Sequence, residues 1–397
     1  MTASHGSGTV KVGLVGLGNI GTTHMSYLSD MDHVEVVGVC DVVREHADAF
    51  ARRYGTTPYY NHLDLFDHSG LDAVIIAVPH YAHVPVAIDA FARGIHVLCE
   101  KPLAVHLNDA KKMIDAYEDA KRRKPDLQFG IMFQERTYPF YQKLKDLIDH
   151  GDLGRLTRVT WINTTWFRTQ AYYDSGSWRA TWAGEGGGIL TNQCPHNLDM
   201  YQWLFGLPLR ISGFAHIGKY HRIEVEDEVT AYFEHENGMI GHFIVTTGES
   251  PGTNRLEIVG EHGKVVYEDA KIVFHRNRES MFKFSAESKL GFAHVENWYT
   301  EIPVNTKVPT GHHVVADRFF NAILGSSEPL IAYGTEGLNG LQLANGIMLS
   351  SFTKQMIDVP FDADEYESIL QELIKSSQFV KPTADGAVLN MSDSFNV

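Results

Sequence analysis

At 397 residues the chain exceeds the roughly 250–300 residues at which one core stops growing, so two domains are expected, and 44% hydrophobic residues supply both. A balance of 34 basic against 49 acidic residues, net −15, works against nucleic-acid and anionic-membrane partners. No apolar run approaches the ~18 residues of a membrane span, the opening MTASHGSGTV lacks a signal peptide's apolar stretch, and Cys40, Cys99 and Cys194 have neither CxxC nor metal spacing, so a cytoplasmic location is expected.

From residue 11 to about 135, short Val/Ile-rich runs alternate with amphipathic stretches of helical period, as a parallel α/β sheet requires. The expected strands are 11–15, 34–40, 73–78, 96–99 and 127–133, with helices opening at Ile20 and crossing 44–54, 84–93 and 109–121. Gly16, Gly18 and Gly21 form G-x-G-x-x-G after the first strand, at the mouth of a helix that starts with Asn19 and Ile20. Gly16 suits the tight turn, Gly18 lets backbone approach a pyrophosphate, and Gly21 permits close helix–strand packing; the phosphates then meet the unpaired N–H groups of the helix start. Asp41 ends the second strand, 20 residues past Gly21, where a carboxylate accepts the adenosine ribose hydroxyls. It repels a 2′-phosphate, so NAD is the expected cofactor; Arg44, three residues on, leaves NADP open.

Ala77, Pro79 and His83 lie at or beyond the end of the third strand, and Glu100 and Lys101 follow the fourth. Open α/β sheets bind ligands at that carboxyl edge, so these residues complete the expected cofactor contacts. Lys101, followed by Pro102, is placed to hydrogen-bond a substrate hydroxyl as well as the nicotinamide ribose.

A helix over 138–149, closed by Gly151, ends this pattern. Longer alternating runs at 156–166, 210–218, 228–234, 239–246, 255–259 and 264–267, with Asn237-Gly238 and His262-Gly263 as hairpin turns, predict a large open, mostly antiparallel sheet. A helix near 196–204 interrupts it, and helices return at 313–324, 337–352 and 363–375. The expected division is a Rossmann domain over 1–135 and a substrate-binding and oligomerisation α+β domain over 136–397, its last ~15 residues a loose arm. Between the first strand of the second sheet and a glycine run lie Trp166, Arg168, Tyr172, Tyr173, Trp178, Arg179 and Trp182. Aromatic faces stack on sugar C–H faces and guanidinium forks grip hydroxyls or anions, so Trp166, Arg168, Tyr172, Trp178 and Arg179 are candidate substrate contacts; the competing reading is packing at a subunit interface.

The segments GLGNIG, GIHVLCEKP, GEGGGILTNQCPHNLDMYQWLFG and GTEGLNGLQLANGIMLSSF together resemble the glucose-fructose oxidoreductase, inositol dehydrogenase and rhizopine-catabolism family, Gfo/Idh/MocA. The resemblance implies homodimers or homotetramers built through the second sheet. It also implies that the EKP lysine and a downstream histidine, here Lys101 and His196, flank the hydroxyl-bearing carbon. The chemistry asks for such a pair, because a base must take the hydroxyl proton while hydride leaves for nicotinamide. The preceding glycine run is expected to let backbone approach the ligand. Many relatives carry an aspartate four residues before the histidine; this chain has Asn192, so either Asp199, one helical turn later, supplies the charge, or the site works with a neutral partner.

The leading expectation is an NAD-dependent dehydrogenase acting on a ring hydroxyl of a cyclic polyol, sugar or glycoside. The alternatives are a glycoside hydrolase that oxidises its sugar transiently, and a non-catalytic cofactor-sensing regulator. No metal is expected: despite 21 histidines there is no HExxH, and adjacent His312 and His313 point in different directions on a helix.

Overall fold

Strands buried on both faces need apolar side chains throughout, and the first half of the chain provides them. In the computed structural model, which describes residues 8–176 and 178–381, six strands form one parallel sheet, three of them buried throughout. They are β1 (Val10–Val15), β2 (Val34–Cys40), β3 (Thr57–Tyr59), β4 (Ala73–Ile76), β5 (His96–Cys99) and β6 (Phe129–Ile131). Helices α1 (Asn19–Leu28), α2 (Arg44–Tyr54), α3 (His62–His68), α4 (His80–Ala92) and α5 (Leu107–Arg123) connect them. The order β3-β2-β1-β4-β5-β6 reverses direction between β1 and β4, which opens a crevice at their carboxyl ends.

The second half continues with α6 (Pro139–Asp149), β7 (Leu156–Asn163), α7 (Gln170–Asp174) and α8 (Pro195–Phe205). Then come β8 (Arg210–Ile217), β9 (Glu226–Glu234), β10 (Ile240–Thr246), β11 (Asn254–Gly260), β12 (Gly263–Glu268), β13 (Lys271–Asn277), α9 (Met281–Glu287) and β14 (Asn297–Ile302). The chain closes with α10 (His312–Ile323), α11 (Gly337–Thr353), β15 (Ile357–Asp358) and α12 (Ala363–Ser376). Nine strands form one sheet in the order β14-β13-β12-β11-β7-β10-β9-β8-β15. Only the β7–β10 pair is parallel. Alternation along these strands sends Val159, Trp161, Phe233, Phe243 and Ile258 inward against Leu198 and Tyr201 of α8 and Leu343 and Ile347 of α11. The opposite face and edges leave Phe214, Trp298 and Tyr299 exposed.

A cut at residue 135 separates the two sheets, but α10 lies on the far side of it. Its Val315, Ala316, Phe319 and Phe320 pack with Val10, Leu14 and Leu98 of the first sheet. Helix α11 joins both cores, with Leu341 among the first sheet's residues and Leu343 among the second's. The arm expected from about Thr383 lies outside the described residues. Among the described residues no helix is long and apolar enough to cross a membrane, and no cluster of three metal-ligating side chains occurs.

Candidate active site

The three fingerprint glycines face three different neighbours. Gly16 has φ +96°, and a Cβ there would stand 2.3 Å from the Ala77 carbonyl oxygen at the end of β4. A Cβ on Gly21 would meet the Gly16 carbonyl oxygen at 2.2 Å, whereas one on Gly18 would meet nothing within 4 Å. Gly16 and Gly21 therefore let the turn fold onto itself, while Gly18 faces open space at the start of α1, with exposed Asn19 and half-buried Ile20 beside it. Asp41 stands at the end of β2, its Oδ2 accepting from the Leu17 backbone N–H (3.0 Å) and its Oδ1 from that of Val43 (2.9 Å). Each carboxylate oxygen retains a further lone pair for a ribose hydroxyl. The Arg44 guanidinium lies 4.0 Å from the centre of the Tyr60 ring. This cradle fits the adenosine and pyrophosphate of a dinucleotide.

Pro79 caps α4 beside the crevice, but His83 and Glu100 depart from the expectation that they touch cofactor. His83 is buried, its two ring nitrogens 2.8 Å from the Pro102 carbonyl and 2.9 Å from that of Val78, so it braces α4 against the EKP segment. Glu100 is turned inward onto His24 Nε2 (2.9 Å) and the Lys101 backbone N–H (3.2 Å). Burial alone would raise its pKa; the hydrogen bond and charge of His24 outweigh that and bring it down to about 2. Both corrections have one cause: these groups are buried, and buried polar atoms must find partners within the fold.

Lys101 Nζ donates to the backbone carbonyl of Asn192 at 2.8 Å, so the lysine reaches Asn192 through main chain rather than side chain. Burial pulls its pKa below the ordinary lysine value, with the Glu100 charge opposing. The Asn192 side-chain amide instead donates to Glu185, a buried acid whose Oε2 also accepts from the Ala180 N–H at 2.6 Å. His196 is buried; desolvation first, and the Lys101 charge second, hold its pKa well below the usual imidazole value. Its Nε2 is 3.1 Å from the side-chain amide nitrogen of Gln134, and its Nδ1 has no partner. Asp199 does not serve His196: both its oxygens are taken by Arg136, at 2.8 and 2.6 Å, and Oδ1 accepts from Gln202 as well. A buried arginine needs that bidentate acceptor, and Asp199 has no direction left toward ligand.

The glycine run approaches protein rather than ligand. A Cβ on Gly186 would collide with Val105 at 2.2 Å, one on Gly187 with Thr191 at 2.2 Å, and one on Gly188 with the Glu226 carbonyl at 2.0 Å. Glu226, on β9, receives the backbone N–H groups of Gly188 (2.8 Å) and Leu190 (3.0 Å) and so holds the loop that carries Asn192 to His196.

The aromatic and arginine segment closes over this loop. Tyr172 Oη accepts from Arg179 (2.8 Å) and from Gln193 (3.0 Å), and Trp166 Nε1 donates to Asn197 at 3.1 Å. Arg179 stacks on Tyr172 and Trp178, Arg168 lies over Trp166 and Tyr172, and the Trp178 ring meets that of His80 edge-on at 5.5 Å.

Residues 10–124 match the oxidoreductase family with an NAD-binding Rossmann fold, Gfo/Idh/MocA, and residues 141–266 match the C-terminal domain of the same family, together more than half of the chain. The chain belongs to this family. It is 37% identical over 150 residues to inositol 2-dehydrogenase of Salmonella paratyphi B, a match covering 37% of this chain and 44% of that protein. It is 33% identical over 196 residues to the rhizopine catabolism protein MocA of Rhizobium meliloti, covering 49% and 57%. These matches thus span about half the length of those relatives. The WlbA dehydrogenase of Bordetella pertussis, solved with NADH and UDP-GlcNAcA, superposes with TM-score 0.74 at 28% identity, covering 89% of this chain and 100% of that one.

Within this Gfo/Idh/MocA site, three residues escaped the sequence reading. Glu185 sits just ahead of the glycine run, where an acid in GEGGG was the available signal. Gln134 and Glu135 open a short 3-10 turn directly after β6, at the same carboxyl edge that singled out Lys101. Both are buried.

Proposed function

We propose that the protein oxidises a ring hydroxyl of a cyclic polyol or sugar with NAD. The observation that carries this reading is the pairing of a half-buried lysine and a buried histidine, each with its pKa lowered, at the carboxyl edge that also holds the dinucleotide cradle. Bound NAD supplies the acceptor for the hydride leaving the carbinol carbon. Lys101, in its ammonium form, donates to the hydroxyl oxygen and steadies the negative charge that develops there. His196, kept neutral by burial, takes the hydroxyl proton at Nδ1 in the tautomer whose hydrogen is on Nε2, with the Gln134 amide turned over so that its oxygen, in place of the nitrogen now 3.1 Å away, accepts that hydrogen. Asn192 holds the lysine by its carbonyl and is itself held by Glu185. Tyr172, Trp178 and the two arginines form the outer wall for the ring.

The test is absorbance of reduced cofactor with a panel of inositols and sugars. Lys101→Ala and His196→Ala are expected to lower kcat by at least ~100-fold each, the scale of general acid–base catalysis. Absence of reduction with every neutral and charged member would overturn the reading. Accumulating NADH also separates it from redox-cycled hydrolysis, which leaves the cofactor unchanged. Assembly of two or four copies through the exposed sheet face that carries Phe214 and Tyr299 belongs to the same reading, and a monomer by light scattering would remove it.

A further inference from the structure

Resting on the proposed dehydrogenase reading, one feature of the inner wall specifies its substrate more narrowly. Glu135 is 8% exposed, and its Oε2 has no hydrogen-bond partner. The neighbouring cation in sequence, Arg136, is committed elsewhere, to Asp199 and Glu336. Charged groups close enough to act on Glu135 are Lys101, which favours its ionised form, and Asp199, which opposes it; burial is the largest influence and raises its pKa to about 8. Gln193 offers a second buried oxygen, Oε1, that has no partner while its amide nitrogen is held by Tyr172.

Both groups belong to the segments that build the reaction centre. Gln134, immediately before Glu135, bonds the His196 ring, and Gln193 lies between Asn192, which holds Lys101, and His196. A fold rarely leaves a buried carboxylate oxygen unpaired, because the desolvation cost is uncompensated. Such an oxygen at a reaction centre is compensated by a ligand that brings a hydrogen. Hydroxyls bring one each, whereas an ionised carboxylate or phosphate brings only acceptors and negative charge.

We propose that Glu135 is a substrate contact and the specificity-determining residue of this site, accepting a ring hydroxyl together with Gln193 and so selecting uncharged, hydroxyl-rich ligands over sugar acids and sugar phosphates. Glu135 takes no part in proton transfer to His196; it fixes which ring fits between Lys101 and His196.

Calorimetric titration of the full chain, saturated with NADH, tests this without relying on turnover. The probes are myo-inositol and D-glucose against D-glucuronate and D-glucose 6-phosphate. At about pH 9, above the value of about 8 at which Glu135 ionises, the neutral ligands are expected to bind at least ~10-fold more tightly than the charged pair, the scale of one charge-assisted hydrogen bond lost and one repulsion gained. Glu135→Gln, with unchanged NADH affinity as its folding control, is expected to weaken the neutral ligands about tenfold and to shrink the discrimination by a similar factor. Charged ligands binding as tightly as neutral ones, wild-type behaviour of Glu135→Gln, or no binding of any neutral ligand would each overturn the assignment. Neutral ligands that bind in the expected pattern yet never reduce NAD would leave this contact standing and remove the dehydrogenase reading instead. Should Glu135→Gln fail to hold NADH, Gln193→Leu carries the same comparison, with weakened neutral binding expected and wild-type binding contradicting it.

Discussion

Two buried acids, Asp199 in α8 and Glu135 in the turn after β6, meet opposite fates. Asp199 is neutralised by a bidentate arginine, while Glu135 keeps an oxygen unpaired and its pKa at about 8. The difference sets a pH signature. An unfolded glutamate titrates near 4.5, so between that value and about 8 the folded chain binds the extra proton and stability falls as pH rises through the window. Glu135→Gln removes that dependence. Its Tm should exceed the wild-type value by more at pH 8 than at pH 5, as read by calorimetric unfolding in the absence of ligand. An equal difference at the two values would mean that Glu135 is solvated in the folded state. Residue types at this scale were partly legible: Lys101 and His196 stood out because they lie in the EKP and H-x-x-D motifs, while the role of Asp199 stayed open because nothing in the sequence announced that Arg136, 63 residues away, would claim it.

At the scale of elements, the loop from Gly186 to Cys194 is shaped by close backbone approach, with Glu226 as its anchor. Gly188→Ala places a methyl 2.0 Å from the Glu226 carbonyl oxygen, so the loop must shift and carry Asn192 and His196 with it. The expected outcome is a loss of turnover with NADH affinity retained, since the cradle around Gly18 lies in the other domain; equal loss of both would indicate general unfolding. The glycine run was visible in the sequence, yet its purpose was not, because spacing cannot say whether ligand or protein fills the space. Strands β1, β2, β4, β5 and β6 were legible from continuous apolar runs. β14 was missed for the converse reason: five of its six residues are exposed, which erases the alternation that marks a half-buried strand. α9 buries none of its residues and left no amphipathic pattern. β3 is only three residues long.

Across the whole molecule, the reaction centre is assembled from both sheets' territories: Lys101 from the first, His196 from α8 beneath the second, and Glu135 from the turn that leaves β6. α11 packs into both cores and α10, from the second half of the chain, packs on the first sheet, so the crevice is held rather than hinged on a single linker. Everything in this arrangement presupposes a dinucleotide lying across the edge between β1 and β4. The most direct measurement is therefore calorimetric titration of the full chain with NAD and NADP, for wild type and Asp41→Ala. NAD should bind, NADP more weakly, and Asp41→Ala should cost NAD about tenfold while narrowing the preference, the scale of one charge-assisted hydrogen-bonded contact. Failure of the folded protein to bind either dinucleotide would contradict the account.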